Sequence, residues 1–133
     1  MDTVIVVHRS ELSPDTAQTS GMRRISAIDG RTAGSERLWV GEVTVEPGTR
    51  SGAHHHGECD SVVCITRGPV LIRFGERLEN SAEAGPGDYV FIPAHVVHQE
   101  INLSDSEAID SIVIRSGDNV VISVELPADV LQA

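Results

Sequence analysis

The chain has 133 residues, 40% hydrophobic and 23% charged, values of a globular chain long enough to bury most of the surface it exposes when unfolded. With 10 basic against 20 acidic residues the formal net charge is -10, so the field of the molecule repels a nucleic acid backbone and excludes DNA and RNA as expected partners. Every basic residue is Arg and none is Lys, which removes Schiff-base chemistry and the phosphate-loop lysine together.

The first apolar run, Val4-Ile5-Val6-Val7, and the later Val62-Val63-Cys64-Ile65 fall far short of the roughly 18 to 20 residues of a membrane span. Met1-Asp2-Thr3 puts no basic region ahead of the first run, so no signal peptide is expected and the location is expected to be cytoplasmic. Cys59 and Cys64 are too few for a disulfide scaffold and too widely spaced for a CxxC motif, and reduced thiols are expected.

In chain order, Thr3–His8 reads as a short β-branched strand and Met22–Ile28 as a weaker one, with polar loops at Ser13–Gly21 and Asp29–Glu36. Leu38–Glu46 alternates, placing Trp39, Gly41, Val43 and Val45 on one face and Glu42, Thr44 and Glu46 on the other. Further strands are predicted at Ser61–Arg67, Val70–Phe74, Tyr89–Ile92, Val97–Asn102, Ala108–Arg115 and Val120–Leu126, separated by Gly, Pro, Ser and Asp turn signals. About eight to ten short strands without sustained helical periodicity predict an all-β sandwich or barrel. Aromatic residues make up only 3% of the chain, so Val, Ile, Leu and Ala fill the core and Trp39 is its one large aromatic anchor.

Chemistry concentrates in the histidines. Five of the six lie between positions 54 and 98. On a strand, His54 and His56 face the same way and His55 the other, so one strand supplies two imidazoles. His98 supplies a third nitrogen if the sheets bring the strands together, and Asp60 a carboxylate oxygen. Glu100 shares the face of His98 and is the acid/base candidate, the alternative being a solvated strand-edge glutamate.

These residues resemble the cupin superfamily. Its first motif is echoed by Gly48, five residues, His54-His55-His56, three residues, Asp60 and then Gly68. The second is echoed by Gly87, five residues, Pro93-Ala94-His95, two residues, His98, three residues and Asn102. The chain departs from the pattern at Asp60, where Glu is usual and one extra residue precedes Gly68. It departs again at His95, a Gly position where a left-handed turn is expected, and at Cys59 beside the carboxylate.

The resemblance implies a single-domain jelly roll over residues 1–133, with an N-terminal strand and polar loops over 1–37 and the barrel core over 38–126. It implies a divalent transition metal, Fe, Mn, Zn, Ni or Cu, held by His54, His56, Asp60 and His98, with Glu58 an alternative oxygen ligand and a three-histidine site the result if Asp60 does not bind. Cys59 is not called for as a ligand, Cys64 is expected in the core, and His55 and His95 are expected at the surface or rim.

The expected activity is that of a metal-dependent enzyme, most of all a dioxygenase, acting on a small organic molecule that chelates through oxygen. Metal-dependent isomerase, cyclase or decarboxylase chemistry, and a non-catalytic binding protein, are the alternatives. Val43, Val45, Cys64, Tyr89 or Phe91 are expected to line an apolar pocket. Arg50, Arg67 and Arg73 are candidates for holding an anionic substrate, against the reading of solvated strand arginines. A homodimer, paired through Thr3–His8, is expected by analogy.

Overall fold

The structure, a computed structural model, describes residues 2–133. Its strands are β1 (Arg23–Ile28), β2 (Leu38–Val45), β3 (His54–His55), β4 (Ser61–Arg67), β5 (Val70–Phe74), β6 (Asn80–Ala84), β7 (Tyr89–Ile92), β8 (His98–Ile101), β9 (Ile109–Ser116) and β10 (Ile122–Ser123). Two single-turn helices accompany them, α1 (Gly30–Ala33) and α2 (Ala128–Leu131), with a 3-10 turn at Arg9–Glu11. Among the described residues no helix is long and apolar enough to cross a membrane.

The strands form two five-stranded sheets in the orders β1-β2-β9-β4-β7 and β10-β3-β8-β5-β6. Their pairings are antiparallel, and the two sheets face each other as a jelly roll. The pleat decides which residues meet inside. In β2, Trp39, Gly41, Val43 and Val45 are buried and their alternates are not, as the alternation predicts. Val63 and Ile65 of β4, Ile72 of β5, Ile92 of β7 and Val113 of β9 meet them to make the apolar core.

The strand forecast fails in three places. Thr3–His8 pairs with no strand of this chain, and Val4 and Val6 stand exposed; a β-branched run gains a ladder only where an edge is offered to it. Val120–Leu126 shrinks to the two residues of β10. In contrast, β6 was not legible, since Asn80-Ser81-Ala82-Glu83-Ala84 has no β-branched residue. It pairs along its whole length with β5, from Phe74↔Asn80 to Val70↔Ala84, so tertiary pairing overrides weak local propensity.

Three expected interior residues face outward, Phe91 being 62% exposed on the same face of its strand as Tyr89. Cys64 and Tyr89 lie opposite each other on the outer face of the first sheet, and Tyr89 is 77% exposed. The reason is parity: Val63 and Ile65 point inward, so Cys64 between them points out.

Gly41 is fixed by the Trp39 ring, which lies across the place where a Cβ would project. Gly41→Ala is therefore expected to destabilise the fold by about 1–3 kcal/mol through overpacking. Gly85, which has open space around it, serves as the control, and Gly85→Ala is expected to stay within about 0.5 kcal/mol of wild type. Urea unfolding monitored by Trp39 fluorescence measures both.

Candidate metal centre

Antiparallel pairing of β3 with β8 sets His54 directly opposite His98. His56, two residues along from His54, presents its ring to the same point. The ring centroids lie 4.3 Å (His54 to His98), 5.0 Å (His54 to His56) and 5.1 Å (His56 to His98) apart. One nitrogen from each falls within 4.8 Å of the other two. All three histidines are buried.

Each ring is oriented by the backbone. Nδ1–H of His54 donates to Gly52 O (2.9 Å), that of His56 to Val120 O (2.7 Å) and that of His98 to Val96 O (2.9 Å). A carbonyl only accepts, so the proton sits on Nδ1 and the lone pair is left on Nε2. Burial holds all three imidazoles neutral. His56 is pushed down to about 2, first by burial and then by the Arg115 guanidinium and His98. His54 is lowered by burial and by His98. His98 is lowered by burial, although Glu100 and the Val96 carbonyl oppose the shift. Three neutral, pre-oriented imidazoles are the form a divalent first-row ion requires, and the carbonyls behind them hold the rings as outer partners of metal ligands do. The set therefore fits a metal.

The cavity in front of the rings is small, about 10 Å³, and is lined by His54, His56, His98, Glu100, Arg24 and Arg115, with Met22, Val43, Val63, Ile92 and Val113 as its apolar wall. Arg24 of β1 is fully buried, donating from Nη1 to Thr19 Oγ1 (2.9 Å) and contacting His54 Nε2 from Nη2 (3.4 Å). Arg115 of β9 donates from Nε to Asn119 Oδ1 (2.9 Å) and from Nη1 to Ser61 Oγ (2.5 Å). Its guanidinium carbon stands 5.6 Å from the centre of the Trp39 ring. Burial and the neighbouring Arg24 push Arg115 down to about 9, with Glu100 opposing. Glu100, a candidate by its shared face with His98, is buried rather than solvated, and its Oε2 has no hydrogen-bond partner among the described residues.

The remaining sequence candidates stand elsewhere. Asp60 is exposed, and its Oδ1 accepts from Ala94 N (3.0 Å), tying the start of β4 to the turn before β8. Ser61, Val63 and Ile65 face inward, so Asp60 is turned outward and is not among the residues brought together. Glu58 is exposed. Cys59 is buried, with its Sγ donating to Asp118 O (3.4 Å), away from the histidine nitrogens. His55 pairs with Ile122 of β10 and its Nδ1 accepts from Gly57 N (3.0 Å). His95 is exposed with φ 66°, in the left-handed turn that the replaced Gly implies.

The arginines follow the same division. Arg50 and Arg73 donate to Leu131 O (2.8 Å) and Val130 O (2.7 Å), the carbonyl end of α2, and Arg67 lies 3.8 Å from Asp110. The arginines at the cavity are Arg24 and Arg115. Both were open to parity: Arg24 shares the face of Ser26, and Arg115 that of Val113. The expectation that a strand arginine is solvated hid them.

Beside the polar cavity lies a larger apolar cleft of about 320 Å³, where β7 parts from β5 and β6. Ile72, Phe74, Ala82, Val90, Phe91 and Pro93 line it, and it shares Ile92 and His98 with the polar cavity.

Residues 41–114 match the family described as Cupin domain. No curated protein matches the sequence. Among solved structures, the polyketide cyclase RemF from Streptomyces resistomycificus is 19% identical, with a TM-score of 0.73 over 98% of this chain and 92% of that one. Lactobacillus farciminis oxalate decarboxylase, solved as a formate complex, is 17% identical with a TM-score of 0.73 over 88% of this chain and 35% of that one. A sugar phosphate isomerase from Silicibacter pomeroyi is 28% identical, with a TM-score of 0.56 over 70% of this chain and 59% of that one.

The neutral histidines make the metal-free protein acid-sensitive. The unfolded chain takes up protons below the ordinary histidine value of 6.5 while His56 in the folded chain does not until about 2. Stability is thus fully present above pH 6.5 and falls as pH drops below it, by at most about 1.4 kcal/mol per pH unit for each such histidine. Urea unfolding of metal-free protein at pH 7.5, 6.0 and 5.0 is expected to show this fall, and His56→Gln is expected to lessen its slope by the share of one histidine.

Proposed function

The chain belongs to the cupin family, and from that footing we propose that it is a metal-dependent enzyme acting on a small organic molecule that binds through oxygen. The carrying observation is the convergence of three neutral histidine nitrogens within 4.8 Å of one another inside the barrel. His54, His56 and His98 would hold the ion. When bound, a divalent metal supplies Lewis-acid polarisation of an oxygen or, for Fe or Mn, access to dioxygen chemistry. The chain's own residues then do the rest. The cleft of Phe74, Val90, Phe91 and Val96 takes the apolar body of the substrate and excludes water, while Glu100 is placed to accept or return a proton at the end held next to His98.

Two reaction types fit this reading. The dioxygenase expectation rests on the ligand count alone, because three imidazoles leave coordination positions open. Isomerase, cyclase or decarboxylase chemistry is favoured by one further observation, the buried Glu100 Oε2 without a partner, since a free carboxylate oxygen beside the ligands suits proton transfer.

Elemental analysis of untagged protein is expected to find one transition metal in stoichiometric amount, lost in His54→Ala, His56→Ala and His98→Ala. No metal above background, with the variants folded, overturns the reading. Conversion of β-dicarbonyl and catechol-like compounds that carry a carboxylate, followed with an oxygen electrode and repeated without air, separates the two types. Turnover that persists without air and falls about 10²- to 10⁴-fold in Glu100→Gln, with metal retained, is expected; strict dioxygen consumption moves the assignment to a dioxygenase.

A further inference from the structure

Arg24 and Arg115 present an unbalanced charge. Both residues are at most 3% exposed, and the ion pairs of the described residues, Arg9–Glu42, Arg31–Asp15, Arg31–Asp29 and Arg67–Asp110, include neither. Buried charges are ordinarily paired, because an uncompensated ion inside a protein loses its hydration without return. The lining of the cavity contains one carboxylate, Glu100, and neutral histidines. Glu100 supplies at most one negative charge against two fixed positive ones, and a bound divalent cation widens the excess. Two polar atoms also lack partners: Arg24 Nε, a donor, and Glu100 Oε2. Hydrogen-bonding groups left free in a buried cavity mark the places a ligand fills.

We propose that Arg24, Arg115 and Glu100 form a carboxylate-binding subsite beside the three histidines, and that the ligand is a small 2-hydroxy or enolic organic acid. Its carboxylate takes the guanidinium donors, and its hydroxyl donates to Glu100. The inference rests on the metal-enzyme reading for the use of the subsite, and it specifies the substrate class that reading left open. The chemistry of the lining selects the class: a neutral diol leaves the guanidinium charge uncompensated, and a simple carboxylate leaves Glu100 without its donor. The cavity measures about 10 Å³, room for roughly one water-sized group, so the acid end alone reaches the guanidiniums, and only as the Arg24 and Arg115 side chains shift to admit it; any apolar remainder is left to the cleft on the other side of His98 and Ile92.

The test is isothermal titration of full-length protein, both metal-free and loaded with Zn, using glycolate, acetate and ethylene glycol as probes. Saturable glycolate binding to both forms is expected, about tenfold tighter than acetate, with none for ethylene glycol. Arg24→Met and Arg115→Met are expected to weaken glycolate at least tenfold with metal content unchanged, and Glu100→Met to erase the preference over acetate. Failure of wild-type protein to bind glycolate in either form overturns the subsite, and that result needs no variant to fold. Glycolate bound only by the Zn-loaded form, with equal affinity in folded Arg variants, also overturns it while leaving the metal reading intact. Arg-dependent glycolate binding by a protein that retains no metal supports the subsite and overturns the metal reading instead.

Discussion

The organising constraint in this structure is the burial of polar and charged groups in the narrow interior of a small β-sandwich. Three imidazoles, two guanidiniums and a carboxylate share one end of it. Apolar packing alone does not hold such groups, because each loses its hydration on entering the barrel. The fold replaces that hydration with fixed partners. Backbone carbonyls of Gly52, Val120 and Val96 accept from the imidazoles, while Thr19, Asn119 and Ser61 accept from the guanidiniums. The face of Trp39 covers Arg115, and Gly41 gives that ring its space. What these partners leave unsatisfied is confined to the cavity.

Several residues that look chemical in the motifs do structural work instead. Asn102 donates from Nδ2 to the carbonyls of Val45 (3.1 Å), Glu46 (3.3 Å) and Glu107 (2.7 Å), joining the ends of β2 and β8 to the start of β9. Asp60 ties β4 to the turn that leads into His98, and His95 supplies that turn's left-handed residue. Gly48 and Gly87 lie at φ +67° and +90°, where a side chain would be strained. Together these contacts keep β3 and β8 in the register that sets His54 against His98, so the spacing of the motif is a condition on the distance between nitrogens.

Legibility in the sequence followed parity. Strands with strong alternation, β2, β4, β5 and β7, were readable almost to the residue, because burial of one face fixes both the element and its register. The same rule made His54, His56 and His98 readable as one cluster and placed Glu100 beside them. For Asp60 the motif position suggested a ligand, and parity argued against it, since the inward Ser61 turns its neighbour outward. Arg24 and Arg115 were missed for an energetic reason: strand arginines are ordinarily solvated, and only the full set of neighbours shows the hydroxyl and amide acceptors that hold these two inside. Thr3–His8 and β6 failed in opposite directions, since strand formation depends on an available edge that local sequence does not describe.

The position of Glu100 bears on how the site divides its labour. A carboxylate from the first motif would enter from the loop between β3 and β4, and in this chain that loop sends Asp60 to the surface. Glu100 instead rises from the same strand as His98, two residues on, and the strand pitch separates the two Cα atoms by about 6 to 7 Å. Its oxygens are not in the set of ligand atoms that lie within 4.8 Å of one another, yet it borders the same cavity. A carboxylate at that reach does not complete the histidine cluster; it faces whatever the cluster holds. With Arg24 and Arg115 also lining the cavity, the interior presents an acceptor and fixed donors to one small volume, an arrangement suited to orienting a molecule with both an acidic oxygen and a hydroxyl.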